Sequence, residues 1–384
     1  MEQLAELVGN SDVGPMGLLV LQPTPYCNLD CSYCYLLHRN DRSRMSDETL
    51  EWIGSRAIAS PIAAEPLSVV WHGGEPMTLP PSWYEAAFRR LQRASGGRRI
   101  NHSFQTNAIG TNDAWISLWQ RHKVRLGISI DGPEYVHDAR RVSRNGRGSF
   151  ALSLKSARRI QDSGLSFHLI SVLTRESLDR PDEMFDFYVS HGFRDVCFNV
   201  EEEEGAHRCS SLREQGTEAA YRFFLDRFFA RVLAERTPFR CRELDSVRWL
   251  ALASTSERMV NQQIRPLQIV TIGVDGSMST YSPEWIGAHA PEYDNFRFGN
   301  VHQSGPEEIL NHPAFLRLRL DIEAGVSACR SECVHFGVCG GGAPANKFFE
   351  HRSVRTTETL FCRLTRKVAL EAALSALEGH ENVA

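Results

Sequence analysis

Six short apolar runs, each followed by a segment of helical period, dominate the first two-thirds of the chain and constrain its architecture more than any other feature. The runs Gly17–Leu21, Leu67–Trp71, Ile100–Gln105, Val124–Ile130, Leu165–Leu173 and Asp195–Val200 are mostly rich in β-branched and aromatic residues and end in turn formers, so they read as strands. A helix is predicted from Ser46, an N-cap with Asp47 and Glu48 in the first turn. Others are predicted over about Pro81–Ala94, Asp113–His122, Phe150–Ser163 and Asp182–His191. Strands alternating with helices make a parallel sheet with helices outside it. Six units are too few for a closed eight-stranded barrel. The expected fold is α/β, an open partial (β/α)6 barrel with its chemistry at the C-terminal ends of the strands.

The remaining sequence divides the chain into an N-terminal extension (1–16), the partial barrel (17–210), a helical bridge (211–264) and a small C-terminal domain (265–384). The bridge reads as two helices between Leu212 and Val260, broken near Thr237-Pro238. Gln268–Ser282 reads as a hairpin turning at Asp275-Gly276. From Asp294 onward the sequence is rich in turns and cysteine, which predicts a domain organised around metal rather than a large apolar core. With 384 residues and 42% hydrophobic content the chain is expected to fold. A net charge of -4 with scattered basic residues argues against nucleic acid as the main partner. There is no run of 18 apolar residues and no N-terminal basic-then-apolar segment, so neither a membrane span nor a signal peptide is expected, and the cytoplasm is the expected location.

Seven of the ten cysteines fall in two clusters, which favours metal ligation in a reducing compartment over disulfides. Cys197, Cys209 and Cys241 stand apart and read as free thiols. The loop after the first strand reads Cys27-Asn-Leu-Asp-Cys31-Ser-Tyr-Cys34. Three thiolates in this C-x3-C-x2-C spacing suit a [4Fe-4S] cube and leave one iron open to a small molecule. A structural zinc would want a fourth ligand, for which His38 is the nearby candidate.

This loop, with the elements after it, resembles the radical S-adenosylmethionine (SAM) superfamily. The resemblance implies that the open iron chelates SAM and that reductive cleavage yields a 5′-deoxyadenosyl radical. His72-Gly73-Gly74-Glu75-Pro76 is similar to the GGEP motif that meets the SAM amino group, its glycines allowing close backbone approach. Gln105-Thr106-Asn107 resembles QTNG, with Ala108 in place of the glycine. Ser129-Ile-Asp131-Gly132-Pro133, followed by His137-Asp138-x-x-Arg141, matches positions where a serine and an arginine contact SAM in peptide-maturing members. Arg141 would suit a carboxylate by its bidentate fork, or would be one of several solvated arginines. Tyr33 matches an aromatic near the adenine, or simply packs. By this resemblance the cofactor-binding set is Tyr33, Gly73, Gly74, Glu75, Gln105, Asn107, Ser129 and Arg141.

Near the C-terminus stand Cys329, Cys333, Cys339 and, after a longer gap, Cys362. Four thiolates can close a [4Fe-4S] site or hold zinc. The arrangement resembles a SPASM domain but departs from it. The first spacing is three rather than two, Ala343 stands where a cysteine is expected, and the hairpin Ser277–Glu284 carries none. One auxiliary cluster rather than two is therefore implied. Cys339-Gly-Gly-Gly-Ala-Pro-Ala-Asn-Lys347, Phe298-Gly-Asn-Val301 and Tyr281-Ser-Pro-Glu284 resemble GrrM/OscB-type peptide maturases, grouped with cyclophane-forming enzymes.

That resemblance implies a ribosomally made precursor peptide as substrate and an external electron donor such as flavodoxin or ferredoxin. It implies hydrogen abstraction from a side-chain Cβ, addition to an aromatic ring, and loss of one electron to the auxiliary cluster and one proton to a base. Asp131 and Glu284 are the candidate bases, with Asp131 alternatively capping its turn. The run Glu201–Glu204 reads as a solvated loop, or as an acidic mouth for a basic peptide segment. Sixteen residues before the first strand are too few for a leader-binding winged helix, so leader recognition is expected on the barrel, the second domain or another protein. Competing readings are an anaerobic sulfatase-type maturase, which shares SIDGP, HDxxR and a segment like Gly146-Arg-Gly-Ser-Phe150, and a non-catalytic iron–sulfur or zinc protein.

Overall fold

A computed structural model describes residues 13–252 and 261–381. Most of the N-terminal extension, the predicted helix through 253–260 and residues 382–384 lie outside the described residues.

Strands β1 (Met16–Leu21), β2 (Ala63–Trp71), β3 (Ile100–Thr106), β4 (Arg125–Ser129), β5 (Phe167–Leu173) and β6 (Asp195–Val200) lie parallel in sequence order. Between them run α1 (Asp47–Trp52), α2 (Pro81–Ala94), α3 (Asp113–His122), the short α4 (Glu134–Asp138), α5 (Phe150–Asp162) and α6 (Pro181–Ser190). The six expected strand–helix units are all present. Local chemistry explains the starts. Ser46 Oγ accepts from Thr49 N at 3.0 Å, with Asp47 and Glu48 in the first turn of α1. Asn112 accepts from Trp115 N at 3.2 Å to start α3. Replacing Ser46 by alanine is expected to cost about 1 kcal/mol in urea denaturation, the usual worth of an N-cap.

The sheet is larger than the sequence suggested. Its order is β7-β6-β5-β4-β3-β2-β1-β8-β9. The two-residue strand β7 (Arg240–Cys241) pairs parallel with β6 where a helix break was expected, between α7 (Thr217–Ala234) and α8 (Arg242–Leu252). At the other edge β8 (Ile269–Ile272) pairs parallel with β1, and β9 (Met278–Thr280) returns antiparallel to it. The predicted hairpin therefore exists, but it extends the barrel sheet, so the boundary expected at 264/265 divides elements that one sheet joins. The edges β7 and β9 do not meet, and the barrel stays open.

The C-terminal region is not organised around cysteine alone. Tyr281, Trp285, Phe296, Phe298, Phe315 and Phe348 are buried there and pack on one another, Trp285 stacking on Phe296 at 4.4 Å between centroids. Each such side chain contributes roughly 1.5–3 kcal/mol by burial, so the expectation of a small apolar core is corrected. These residues come from the end of the hairpin (Tyr281), the irregular segment after it (Trp285, Phe296, Phe298), α9 (Pro313–Glu332) and α10 (Pro344–His351), stretches whose spacing shows no single periodic pattern. The last helix, α11 (Ala369–Glu381), packs back on α7. Among the described residues no helix is long and apolar enough to cross a membrane.

Candidate active site

The C-terminal ends of β1 to β6 surround a cavity of about 430 Å³. Its wall gathers Cys27, Cys31, Cys34, Tyr33, Gly74, Glu75, Gln105, Asn107, Ser129 and Arg141 from the barrel loops, with Glu201, Glu202 and Glu204 from the segment after β6 and Glu284 from the segment after β9. Gly73, next to Gly74, is not on the wall but shapes the turn, with φ of +85°.

The cysteine loop is held rigidly. Asp30 N donates to Val142 O at 2.7 Å and Ser32 N to Arg140 O at 2.9 Å, stitching it to the segment after α4. Arg39 donates to Cys31 O and Arg144 to Cys27 O, at 3.1 and 2.9 Å. All three thiols are free. Burial pushes Cys27 up to about 12, Glu75 and the neighbouring thiols adding to it. Burial likewise pushes Cys31 up to about 11, against the pull of Arg141. Without a cation the Cys27 and Cys31 sulfurs are held protonated; an iron–sulfur cube would supply the charge that makes them thiolates. Among the described residues no three His, Cys, Asp or Glu side chains close around a single ion. His38, the zinc alternative, is exposed and off the cavity wall. Three sulfur donors on one pinned loop at the cavity wall are the donor set that suits an iron–sulfur cluster.

Gly74 forms the cradle beside this loop. Its φ is +59°, and a Cβ there would lie 2.5 Å from the carbonyl oxygens of Thr24 and Tyr26. Gly74→Ala is expected to destabilise the fold by roughly 1–3 kcal/mol from backbone strain alone, read by thermal or urea unfolding, with further loss from the clash. Glu75 turns inward. Its carboxylate accepts from Thr106 Oγ1 at 2.5 Å, Asn107 N at 2.8 Å and Met77 N at 2.9 Å, tying the glycine turn to the end of β3. Its oxygens are thus used by the protein, and it acts on the cavity by holding two loops in register. Asn107 in turn donates to Asn28 Oδ1 at 2.8 Å. Gln105 and Ser129 reach the wall with no side-chain hydrogen bond among the described residues, leaving polar groups for a ligand.

Asp131 and Arg141 correct two expectations. Arg141 is buried, unlike the exposed Arg144 and Arg147, so it is not a solvated arginine. Its fork, however, is engaged by Asp131, Nε and Nη2 each donating at 3.0 Å. Tyr33 Oη donates to the same carboxylate at 2.5 Å and Val172 N at 3.0 Å. Burial works against the Asp131 anion, but Arg141, His137 and these donors hold its carboxyl below the usual range. A four-donor carboxylate of lowered pKa is a poor proton acceptor, so Asp131 does not suit the role of base expected of it. It fixes Tyr33 and Arg141 instead. His137 and Asp138 complete this support: His137 bonds Ser149 Oγ at 2.9 Å, and Asp138 accepts from Ser149 N and Phe150 N at 2.8 Å, closing the start of α5.

The run Glu201–Glu204 also departs from its expected place. It is not a solvated loop. Glu201 and Glu204 are buried, and Glu202, Glu204 and Glu284 converge on the cavity. Burial raises both Glu202 and Glu204; Glu202 raises Glu204 further, while the hydrogen bond between the two works against the rise at Glu202. Burial also raises Glu284, which accepts from Ser282 Oγ. Asn346 of α10 donates to Glu202 at 2.5 Å and Glu204 at 3.3 Å. Glu203 is off the wall and pairs with Arg213, while Glu201, on the wall, is taken up by His207 and the backbone N–H of Ser211. The one available signal was position: the run follows β6 directly, at the mouth of the barrel. Tyr35 and His72, bonded at 2.8 Å on the same wall, were also missed.

The second cysteine set lies in the C-terminal region. All four thiols are free and Cys329 is buried. Cys362 lies within electrostatic range of Cys339, and Lys367 within range of both Cys362 and Cys333. Cys329 Sγ sits 3.7 Å from Gly341 O, two residues beyond Cys339. Of the isolated cysteines, Cys197 and Cys241 are buried and Cys209 is exposed, all three free.

Residues 21–188 match the family model described as the radical SAM superfamily. The chain is 40% identical over 376 residues to the uncharacterized protein sll1766 of Synechocystis sp., covering 96% of this chain and 94% of that one. It is 33% identical over 203 residues to a serine-type anaerobic sulfatase-maturating enzyme of Klebsiella aerogenes, covering 52% of this chain and 49% of the relative, so it spans about half the length of that protein. Among solved structures, anSMEcpe with bound AdoMet superposes with a TM-score of 0.77 at 19% identity, covering 95% and 99% of the two chains. Streptococcus suis SuiB bound to precursor peptide SuiA gives 0.66 at 16%, covering 94% and 79%. The last two likenesses are likenesses of fold. Taken with the cysteine loop at the mouth of the partial barrel, these findings establish that the chain belongs to the radical SAM superfamily.

Proposed function

We propose that this protein is a peptide maturase that joins an aromatic ring to a side-chain Cβ within a ribosomally made precursor, forming a cyclophane. The observation that supports the reading best is that one cavity is lined both by three thiols with open polar groups and by the carboxylates of Glu202, Glu204 and Glu284. When bound, a [4Fe-4S] cluster on Cys27, Cys31 and Cys34 and SAM supply hydrogen abstraction, and a second cluster on Cys329, Cys333, Cys339 and Cys362 supplies an electron acceptor.

The chain's own residues do the rest. Gly74 lets backbone approach the cosubstrate, Gln105 and Ser129 offer it hydrogen bonds, and the Asp131–Arg141 pair fixes Tyr33 beside it. The ring that has formed the new bond must lose a proton, and the Glu202–Glu204 pair with Glu284 takes it. These carboxylates face Glu350 of α10 and Tyr35 of the cysteine loop as well as one another. Their pKa values are raised, so the basic form is present above the raised value and lost as pH falls through it. Turnover is therefore expected to fall on acidification from roughly pH 8 to 6. Glu204→Gln and Glu284→Gln should each slow product formation by about 10²–10⁴-fold while leaving SAM cleavage without peptide largely intact.

The precursor-peptide substrate rests partly on SuiB, solved with its precursor peptide. The 33% identity to the sulfatase-maturating enzyme favours a second reading, oxidation of serine or cysteine to formylglycine. The test is anaerobic incubation of reconstituted protein with SAM, reductant and peptides carrying either an aromatic residue or serine. Crosslinking and serine oxidation both remove two hydrogen atoms. A crosslink suppresses backbone fragmentation between the joined residues; an aldehyde reacts with hydrazide. Absence of any crosslinked product from the aromatic peptides, with aldehyde formed from the serine peptide, would overturn the cyclophane reading.

A further inference from the structure

Lys347 is buried at 3% exposure, yet among the described residues it pairs with no carboxylate. Its ammonium donates to Cys329 Sγ at 3.3 Å and approaches Gly325 O at 3.5 Å. A buried ammonium is costly unless an anion stands beside it. The nearest candidates are the sulfurs of the second cysteine set, which become anionic on binding metal.

The surrounding sequence is arranged to bring the amine there. Gly340, Gly341 and Gly342 all have positive φ (68°, 112° and 79°), and a Cβ at Gly341 would lie 2.9 Å from Val326 of α9. The tight turn they make leads directly into α10, and the Lys347 stem then passes 3.5 Å from the Cβ position of Gly342. Gly325 allows α9 itself to approach Val354 O. The preceding residue, Asn346, points the other way and donates to Glu202 and Glu204. Two consecutive side chains of one helix thus touch the carboxylates of the cavity and the second cysteine set.

We propose that Lys347 is the counter-charge of an iron–sulfur cluster held by Cys329, Cys333, Cys339 and Cys362, and that it raises the reduction potential of that cluster. This rests on the reading that those cysteines hold a cluster. A cationic donor against a ligand sulfur stabilises the reduced, more negative state and so favours uptake of one electron. In the proposed reaction that electron is the one the substrate radical gives up as its ring regains aromaticity, while the proton goes to the facing carboxylates. Lys347 acts as a positioning residue through Cys329 and does not touch the substrate.

The test uses the full-length chain with Cys27, Cys31 and Cys34 all replaced by alanine, so that only the C-terminal site can hold iron. Its iron content tests the underlying reading: a parent without iron sinks the cluster, and with it the role of Lys347. With iron present, a redox titration followed by electron paramagnetic resonance compares Lys347, K347Q, K347M and K347R. At the midpoint potential of the parent, the ratio of oxidised to reduced cluster is expected to rise about tenfold or more in K347M, which is about 59 mV for one electron. K347R is expected to restore most of it. An unchanged midpoint in K347M and K347Q at full iron content would overturn the proposal. If both neutral variants lose iron while K347R keeps it, the need for a counter-charge is supported directly. Loss of iron in all three variants marks a purely structural lysine and also overturns it.

Discussion

Replacing any one of Cys27, Cys31 and Cys34 by alanine is expected to lower reductive cleavage of SAM by at least about a thousandfold, because the cofactor carries the chemistry and the loop offers no substitute ligand. All three thiols stand on a loop pinned by backbone bonds to residues 140–142, so none can shift to cover for another. Iron should fall from about eight atoms per chain to about four, by the count of four-iron cubes, while the C-terminal cluster remains. Folding should survive, since the loop is anchored through main-chain groups that the substitution leaves in place. The measurements are 5′-deoxyadenosine by chromatography, iron by colorimetry and secondary structure by circular dichroism. Full activity in a single alanine variant would remove the radical source assigned to this loop. Retention of all eight iron atoms would show that the thiols are not ligands.

The second large effect concerns Asp131 and Arg141. Asp131→Asn leaves a buried guanidinium without its counter-charge, and Arg141→Met leaves a buried carboxylate. Each is expected to destabilise the protein by about 3–5 kcal/mol, the usual consequence of breaking a buried pair from one side. The double substitution should cost less than the sum of the two, because neither charge is then stranded. The pH dependence has a definite sign. The folded carboxyl lies below its usual value of 3.8, so the pair stabilises fully above about pH 4. That contribution fades as the pH falls through the folded value. Urea denaturation of the four proteins at neutral pH and near pH 3 would measure it. Additive losses would mean that the two side chains do not act as a pair. A wild-type advantage that grows on acidification would contradict the depressed pKa. Activity should fall with stability, because Tyr33 donates to the same carboxylate and loses its anchor.

The same pair shows how a motif can be read correctly and assigned wrongly. The positions of Ser129, Asp131 and Arg141 after β4 were legible from their spacing. Their partners were not, because Arg141 meets Asp131 across ten residues and Val172 joins from another strand. Sequence offered two uses for Arg141, solvation or a bound carboxylate. The folded chain supplies a third, an internal carboxylate.

Periodicity alone determined the six parallel strands, the helices between them and the loop that carries the first cysteines. These follow from local patterns: apolar runs bounded by turn formers, N-caps such as Ser46, and helical stripes that bury one face. Tertiary structure alone decided the two ends of the sheet, since a two-residue strand such as Arg240–Cys241 has no pattern and Ile269–Ile272 reaches β1 from some 250 residues away. It also decided the character of Glu201–Glu204. Four consecutive glutamates read as solvent-facing because charge is normally costly to bury. Only the approach of Asn346 from α10, with Tyr35 and Glu284 nearby, turns two of the four into a hydrogen-bonded pair on the cavity wall. Burial is set by what packs from elsewhere in the chain, and that is information a local stretch of residues does not hold.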